Sequence, residues 1–184
     1  MMNRLKPTLI ALLLIAAIAT ASASGDWKDT LRRELPLLGH RNWIVVADSA
    51  YPLQIAPGIE TICAGTDQLT VVKQVLADLA ATKHVQPTVY TDAELNYVPE
   101  KNATGVTAYR DALANILGSK PIQVLPHEQI IGKLDEAGKT FKVLLIKSTM
   151  TIPYTSVFFQ LSCGYWNDNS EHELRDAMST GSPR

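Results

Sequence analysis

Leu38-Gly39-His40-Arg41-Asn42-Trp43-Ile44-Val45-Val46-Ala47-Asp48-Ser49-Ala50-Tyr51-Pro52 is the stretch whose reading decides the fold. Ile44 to Ala47 is an unbroken apolar run, which suits a strand covered on both faces, as in a parallel sheet packed between helices. A Gly-His turn feeds this strand and Asp48 closes it, so two polar groups stand at the two ends of one buried element. A carboxylate leaving the carboxyl end of such a strand lies where open α/β sheets bind ligands. The plainer alternative is that Asp48 caps the Ser49 to Pro52 turn.

The same alternation continues outward from this strand. Trp27 to Leu38 reads as a helix, with Asp26 as its cap and Gly39 as its stop. Ile59 to Ala64 reads as a strand, and Gly65-Thr66-Asp67 opens a helix over Gln68 to Thr82, with Leu69, Val72, Leu76, Leu79 and Ala80 as its buried stripe. Pro87 to Tyr90 is a further strand, and Asp92 to Thr104 is polar and turn-rich, which predicts a surface loop. A helix over Val106 to Leu117, a strand over Ile122 to Leu125 and a short helix over His127 to Leu134 follow. Phe141 to Ile146 and Ser156 to Leu161 complete the strands. Short apolar strands alternating with helices predict a single-domain layered αβα fold with a largely parallel sheet.

At the amino terminus, Arg4 and Lys6 precede the apolar run Leu9 to Ala19, and Ala21-Ser22-Ala23 has the small-x-small form of a cleavage site. Residues 1–23 therefore read as a signal peptide, the mature chain begins near Ser24, and the protein is expected in the periplasm or secreted. The apolar run is short against the roughly 20 residues a membrane span needs, so no stable membrane insertion is expected after cleavage. The remaining residues, roughly 160, suffice for one domain, assigned to 24–166, with 167–184 as a polar carboxyl-terminal tail that is either an added helix or mobile. A formal net charge of −1 gives no basic footprint for nucleic acid. Cys63 and Cys163 are isolated thiols in strand-like segments; a disulfide suits an oxidising compartment, and buried free cysteines are the simpler reading.

Four histidines remain to be sorted. His84 lies where a helix end meets a strand and reads as a carboxyl-terminal cap, and His172 lies in the polar tail. His40 and His127 each stand at a junction between a loop and a regular element, as does Tyr154 after Pro153. With Asp48 these groups supply the donors and acceptors that recognise hydroxyls. No close pair of histidines supports a two-histidine, one-carboxylate metal site. The chain shows no Gly-x-Ser-x-Gly elbow, no phosphate-binding Gly-x-x-x-x-Gly-Lys loop and no Gly-x-Gly-x-x-Gly turn, which leaves acid–base chemistry or binding.

Leu38-Gly39-His40, the strand ending in Asp48 and Pro52, Pro126-His127-Glu128-Gln129 and Pro153-Tyr154-Thr155-Ser156 together resemble the D-ribose pyranase and L-fucose mutarotase family (RbsD/FucU) over roughly Leu31 to Gly164. The resemblance implies a cofactor-free isomerase that interconverts ring forms or anomers of a free monosaccharide, with a sugar-binding protein of weak or no catalysis as the alternative. A third reading is an assembly protein with a vestigial pocket. By the resemblance His40 is the catalytic proton donor, and Asp48, His127, Tyr154, Thr155 and Ser156 are substrate-binding. It implies a homo-oligomer, a pentamer or decamer, with sites near subunit contacts. Here Thr149-Met150 stands where the family commonly carries Gly-Glu, and Ser156 where it carries Asn. His127 tilts the likeness toward the ribose-like branch, since the fucose-like branch tends to carry Arg there.

Overall fold

The computed structural model describes residues 26–181, so the assigned signal peptide and its cleavage site lie outside the described residues. Asp26 caps α1 (Trp27–Glu34) by accepting from the Lys28 backbone N–H at 3.1 Å. Pro36 then tightens the chain into a 3₁₀ turn, Leu35–Leu37, so the α-helix ends earlier than Gly39 predicts. The other elements are β1 (Trp43–Ala47), β2 (Ile59–Cys63), α2 (Gln68–Ala80), β3 (Val85–Asp92), α3 (Val106–Leu117), β4 (Ile122–Leu125), α4 (His127–Thr140), β5 (Val143–Lys147), β6 (Val157–Cys163) and α5 (Asp168–Thr180).

The six strands form one sheet in the order β2-β5-β1-β6-β3-β4. Pairings β1·β5, β2·β5 and β3·β4 are parallel, whereas β6 runs antiparallel to both β1 and β3. The sheet is thus largely parallel with one reversed strand, as an α/β layered fold. Val45 lies opposite Leu145 and Phe158, which fixes the period-2 division of side chains between the two faces. Ile44, Val46, Leu144, Ile146 and Phe159 pack under α1, α2 and α3. Val45, Leu145, Phe158 and Tyr90 pack under α4, with Trp43 and Tyr90 ring centroids 5.3 Å apart.

Three expectations change in the structure. The buried stripe of α2 is Gln68, Val71, Val72, Val75 and Leu79, not one through Leu69, Leu76 and Ala80, of which Ala80 is exposed. The rotation follows from Gln68, which is fully buried because its amide is used: it donates to the Thr155 carbonyl and accepts from Ser148 Oγ at 2.8 Å. The predicted surface loop beginning at Asp92 does not begin there. Asp92 is 1% exposed, ends β3 opposite Leu125, and is followed by a 3₁₀ turn, Ala93–Tyr97, that buries Leu95. The cysteines are not buried either: Cys63 is exposed and Cys163 half-buried, and both are free. They end strands of opposite direction separated by β5 and β1, about 14 Å at ~4.8 Å per strand spacing, beyond the reach of a disulfide.

Beyond Gly164 the described part of the polar tail forms a helix, α5. Asn167 caps α5 by accepting from the Ser170 N–H at 2.9 Å, and no residue of the helix is buried. Among the described residues no helix is long and apolar enough to cross a membrane.

Candidate functional site

Reversing β6 gives the sheet one chemically rich edge. The carboxyl ends of β1, β3, β4 and β5 meet there, and the lead-in to β6 arrives at the same edge because that strand runs the other way. Asp48, Asp92, His127 and Tyr154 are all delivered to it, the place where open α/β sheets bind ligands.

Asp92 and His127 form its centre. The Asp92 side chain is fully buried, and its Oδ1 lies 3.1 Å from His127 Nδ1, an ion-pair distance. The direction misses hydrogen-bond alignment, so both Asp92 oxygens and His127 Nδ1 have no hydrogen-bond partner among the described residues. A carboxylate removed from water without full pairing holds its proton more tightly. Burial pushes the Asp92 carboxyl up to about 6; His127 pulls the other way, and the nearby Glu94 and Asp48 carboxylates add to the rise.

His127 is the first residue of α4, where no side chain of the helix itself caps the free N–H groups. Glu94 supplies the cap from the turn after β3: its two oxygens accept from the His127 backbone N–H at 3.1 and 3.0 Å. One short segment, Asp92 to Glu94, therefore faces both the ring and the backbone of the same histidine. The imidazole stays 29% exposed, and the Tyr154 ring meets it edge-on with centroids 5.7 Å apart. Tyr154 is held in the left-handed region, φ 60°, an uncommon conformation for a residue with a side chain.

Asp48 is half-buried and does cap its own turn, accepting from the Ala50 N–H at 2.8 Å. It also lies close enough to Asp92 to raise that carboxyl, so the turn role and a place at the site coexist. Tyr51 closes the flank: burial, then Asp135, Asp92 and Asp48, raise its phenol, and Lys147 Nζ donates to its carbonyl at 2.6 Å. Thr155 and Ser156 are buried beneath the edge. Thr155 Oγ1 donates to the Ile152 carbonyl at 2.8 Å, and its own carbonyl accepts from Tyr109 at 2.7 Å and from Gln68.

His40 stands apart. It is exposed in the tight turn before β1, where Asn42 Oδ1 accepts from the Gly39 N–H at 2.7 Å and Arg41 takes φ 74°. The five residues of β1 separate that turn from Asp48 by about 16 Å at ~3.3 Å per residue, so one chain does not bring His40 to Asp92 and His127. His84 Nε2 lies 3.3 and 3.1 Å from the Leu35 and Leu38 carbonyls, at the end of the first helical segment. Asp92 and Glu94 are the residues the sequence reading missed, although the strand-end rule that singled out Asp48 applies equally to Asp92. Among the described residues no group of three or more His, Cys, Asp or Glu side chains gathers as a metal ion would require.

No protein-family model matches the chain, and no curated protein matches it. Solved structures do. The chain is similar to RbsD from Bacillus subtilis complexed with D-ribose, at 22% identity and a TM-score of 0.49, covering 72% of this chain and 91% of that one. It is similar to the fucose mutarotase in complex with L-fucose from Streptococcus pneumoniae, at 18% identity and 0.47, covering 72% and 91%. FucU from Bifidobacterium longum gives 18% identity and 0.46, covering 72% and 92%.

Proposed function

We propose that the protein binds a free monosaccharide at the Asp48, Asp92, His127 and Tyr154 edge and interconverts its ring forms by acid–base catalysis, as a mutarotase or pyranase that needs no cofactor. The observation that carries this reading is Asp92, a fully buried carboxylate with no hydrogen-bond partner among the described residues, 3.1 Å from an imidazole that still reaches solvent. Ring opening requires one proton delivered to the ring oxygen and one taken from the anomeric hydroxyl. A carboxyl titrating at about 6 beside an imidazole offers both operations near neutral pH. With Nδ1 facing Asp92, Nε2 is the ring nitrogen left for a sugar hydroxyl, and the Tyr154 ring packs edge-on against the same imidazole.

His40 enters this reading through a second copy. It is exposed at the opposite edge from Asp92, so its role as proton donor, implied by the family resemblance, needs a neighbouring subunit to carry it into the pocket. Exposed Leu53, Ile55 and Tyr97 on the loops flanking the site supply apolar surface for such a contact, consistent with a pentamer or decamer. The protein acts after export, in the periplasm or secreted, with a mature start near Ser24.

Magnetisation-transfer NMR on D-ribose and L-fucose tests the reading directly, because it reports exchange between pyranose, furanose and anomeric forms. Accelerated exchange that Asp92→Asn abolishes is the expected result; exchange equal to that of free sugar refutes catalysis. A sugar-binding protein with little catalysis is favoured by one observation, the burial and internal hydrogen bonding of Thr155, which leave the sugar fewer partners. That case gives sugar line broadening without added exchange.

A further inference from the structure

At the edge of the sheet opposite the site, two clefts of ≈ 630 and ≈ 460 Å³ share Leu76 and Lys120 and so form one groove. It runs between the α2 and α3 surfaces and on to the start of β3. Its floor is apolar, with Leu76, Leu79 and Ile116, and its rim carries Lys73, Lys83 and Lys120. No carboxylate lines either cleft, and none of the three lysines makes an ion pair among the described residues. The helix dipoles of α2 and α3 favour cations near these helix ends, but they do not account for an open apolar floor between them.

α5 has the complementary face. Leu174, Ala177 and Met178 fall on one side of the helix at i, i+3 and i+4 spacing, with Leu174 41% and Met178 64% exposed. Glu171 and Glu173 flank that stripe, and with Asp168 and Asp176 they outweigh Arg175, the helix's one arginine or lysine. An apolar stripe bordered by acids matches an apolar groove bordered by lysines, the pattern of helix-in-groove recognition. At ~1.5 Å per residue the helix is about 20 Å long, against about 10 Å for the stretch of α2 from Lys73 to Ala80 that lines the clefts.

We propose that α5 of one copy seats in the α2/α3 groove of a second copy, in a reciprocal exchange that makes an isologous pair. No residue of α5 lines either cleft of its own chain, although Gly164 and Tyr165 at its root line one end of the groove. Trp166 Nε1 donates to Glu171 Oε2 at 2.9 Å and Asn167 caps the first turn, so the start of the helix is fixed as one unit with the Trp166-Asn167 segment that leads into it. This inference is independent of the sugar chemistry, and its contact lies at the other edge of the sheet.

Sedimentation of the whole chain at low and high salt tests it, with K83E/K120E, with E173K/D176K and with the four changes combined, all at positions outside the core. A dimer held by this contact falls to monomers and a two-ring decamer held by it falls to its two pentamers, so each double variant is expected to lower the mass to about half that of the unaltered chain. High salt is expected to weaken the unaltered assembly. The combined variant, with the charges exchanged, is expected to recover the full mass. A mass unchanged by either pair, failure of the combined variant to recover it, or a chain monomeric from the outset overturns the proposal.

Discussion

Asp92→Asn is expected to stabilise the fold while abolishing ring exchange. Asp92 is 1% exposed, lacks a hydrogen-bond partner and titrates at about 6, whereas an aspartate in an unfolded chain titrates at about 3.9. Between those values the folded protein keeps a proton that the unfolded chain has released. The stabilising contribution of this group is therefore fully present below about pH 3.9 and is lost as pH rises through about 6. At about 1.4 kcal/mol for each pH unit between the two values, carrying the charge costs the fold about 3 kcal/mol at neutral pH and above. The His127 attraction is already contained in that figure. Asparagine keeps the shape of a protonated aspartate and never ionises. Urea unfolding at fixed protomer concentration across about pH 4 to 8 should show a gap growing from near zero to about 3 kcal/mol, some 6–12 °C in Tm for a chain of this size. A gap that does not change with pH, or a variant less stable than the parent at pH 8, refutes the account of Asp92.

Ring exchange by the parent protein should rise with pH through about 6, as the Asp92 carboxyl loses its proton and becomes a base, and a pH–rate profile from magnetisation transfer checks this. Glu94→Ala removes both acceptors from the His127 N–H and should cost about 1 kcal/mol of stability by thermal unfolding, with exchange reduced because the ring loses its backbone anchor. His40→Ala should lower exchange about 10²-fold, His84→Ala should leave it unchanged, and mixing His40→Ala with Asp92→Asn subunits should restore part of the activity if the pocket is shared. Gly58→Ala should destabilise by about 1–3 kcal/mol or more in urea unfolding, because an added Cβ meets the Phe141 and Gly138 carbonyls. The backbone of Gly58 is held on both sides, bonding Gly138 O at 3.0 Å and Val143 N at 2.9 Å, and has no room to yield. Amino-terminal sequencing of protein from its native host should find a start near Ser24.

The strands and helices were legible in the sequence because apolar runs and caps announce them: Ile44 to Ala47, Asp67 before α2 and Gly118 after α3 each have a local cause. What escaped has a tertiary cause. β3 begins at Val85, two residues ahead of Pro87, and polar Asp92 read as the start of a loop, although it pairs with Leu125, and Thr91 before it with Val157, inside the sheet. α4 runs past Leu134 to Thr140, and Gly138 in that extension leaves room for Ile59, since a Cβ there would come within 2.7 Å of Ile59 Cγ1. At the site, His127 and Tyr154 were legible as junction residues. Glu94 was not, since its contact is with a backbone N–H 33 residues further on.

The reversed strand also governs the order in which the molecule can be made. Without β6 the sheet is two separate parallel blocks, β2-β5-β1 and β3-β4, and only β6 is hydrogen-bonded to both. During synthesis this joining strand emerges after every other strand, and the first block itself waits for β5, whose following Ser148 meets Ala47 across 101 residues. Native pairing of such sequence separation is slow to nucleate, and until it forms the valine-rich edge of β1 stays unpaired and open to association. A chain stopped before Val157 thus carries most of the core and every site residue, yet has no means of joining the two blocks that hold them. Folding of this protein is expected to be a late, all-at-once event, with the site appearing only when its last strand is inserted.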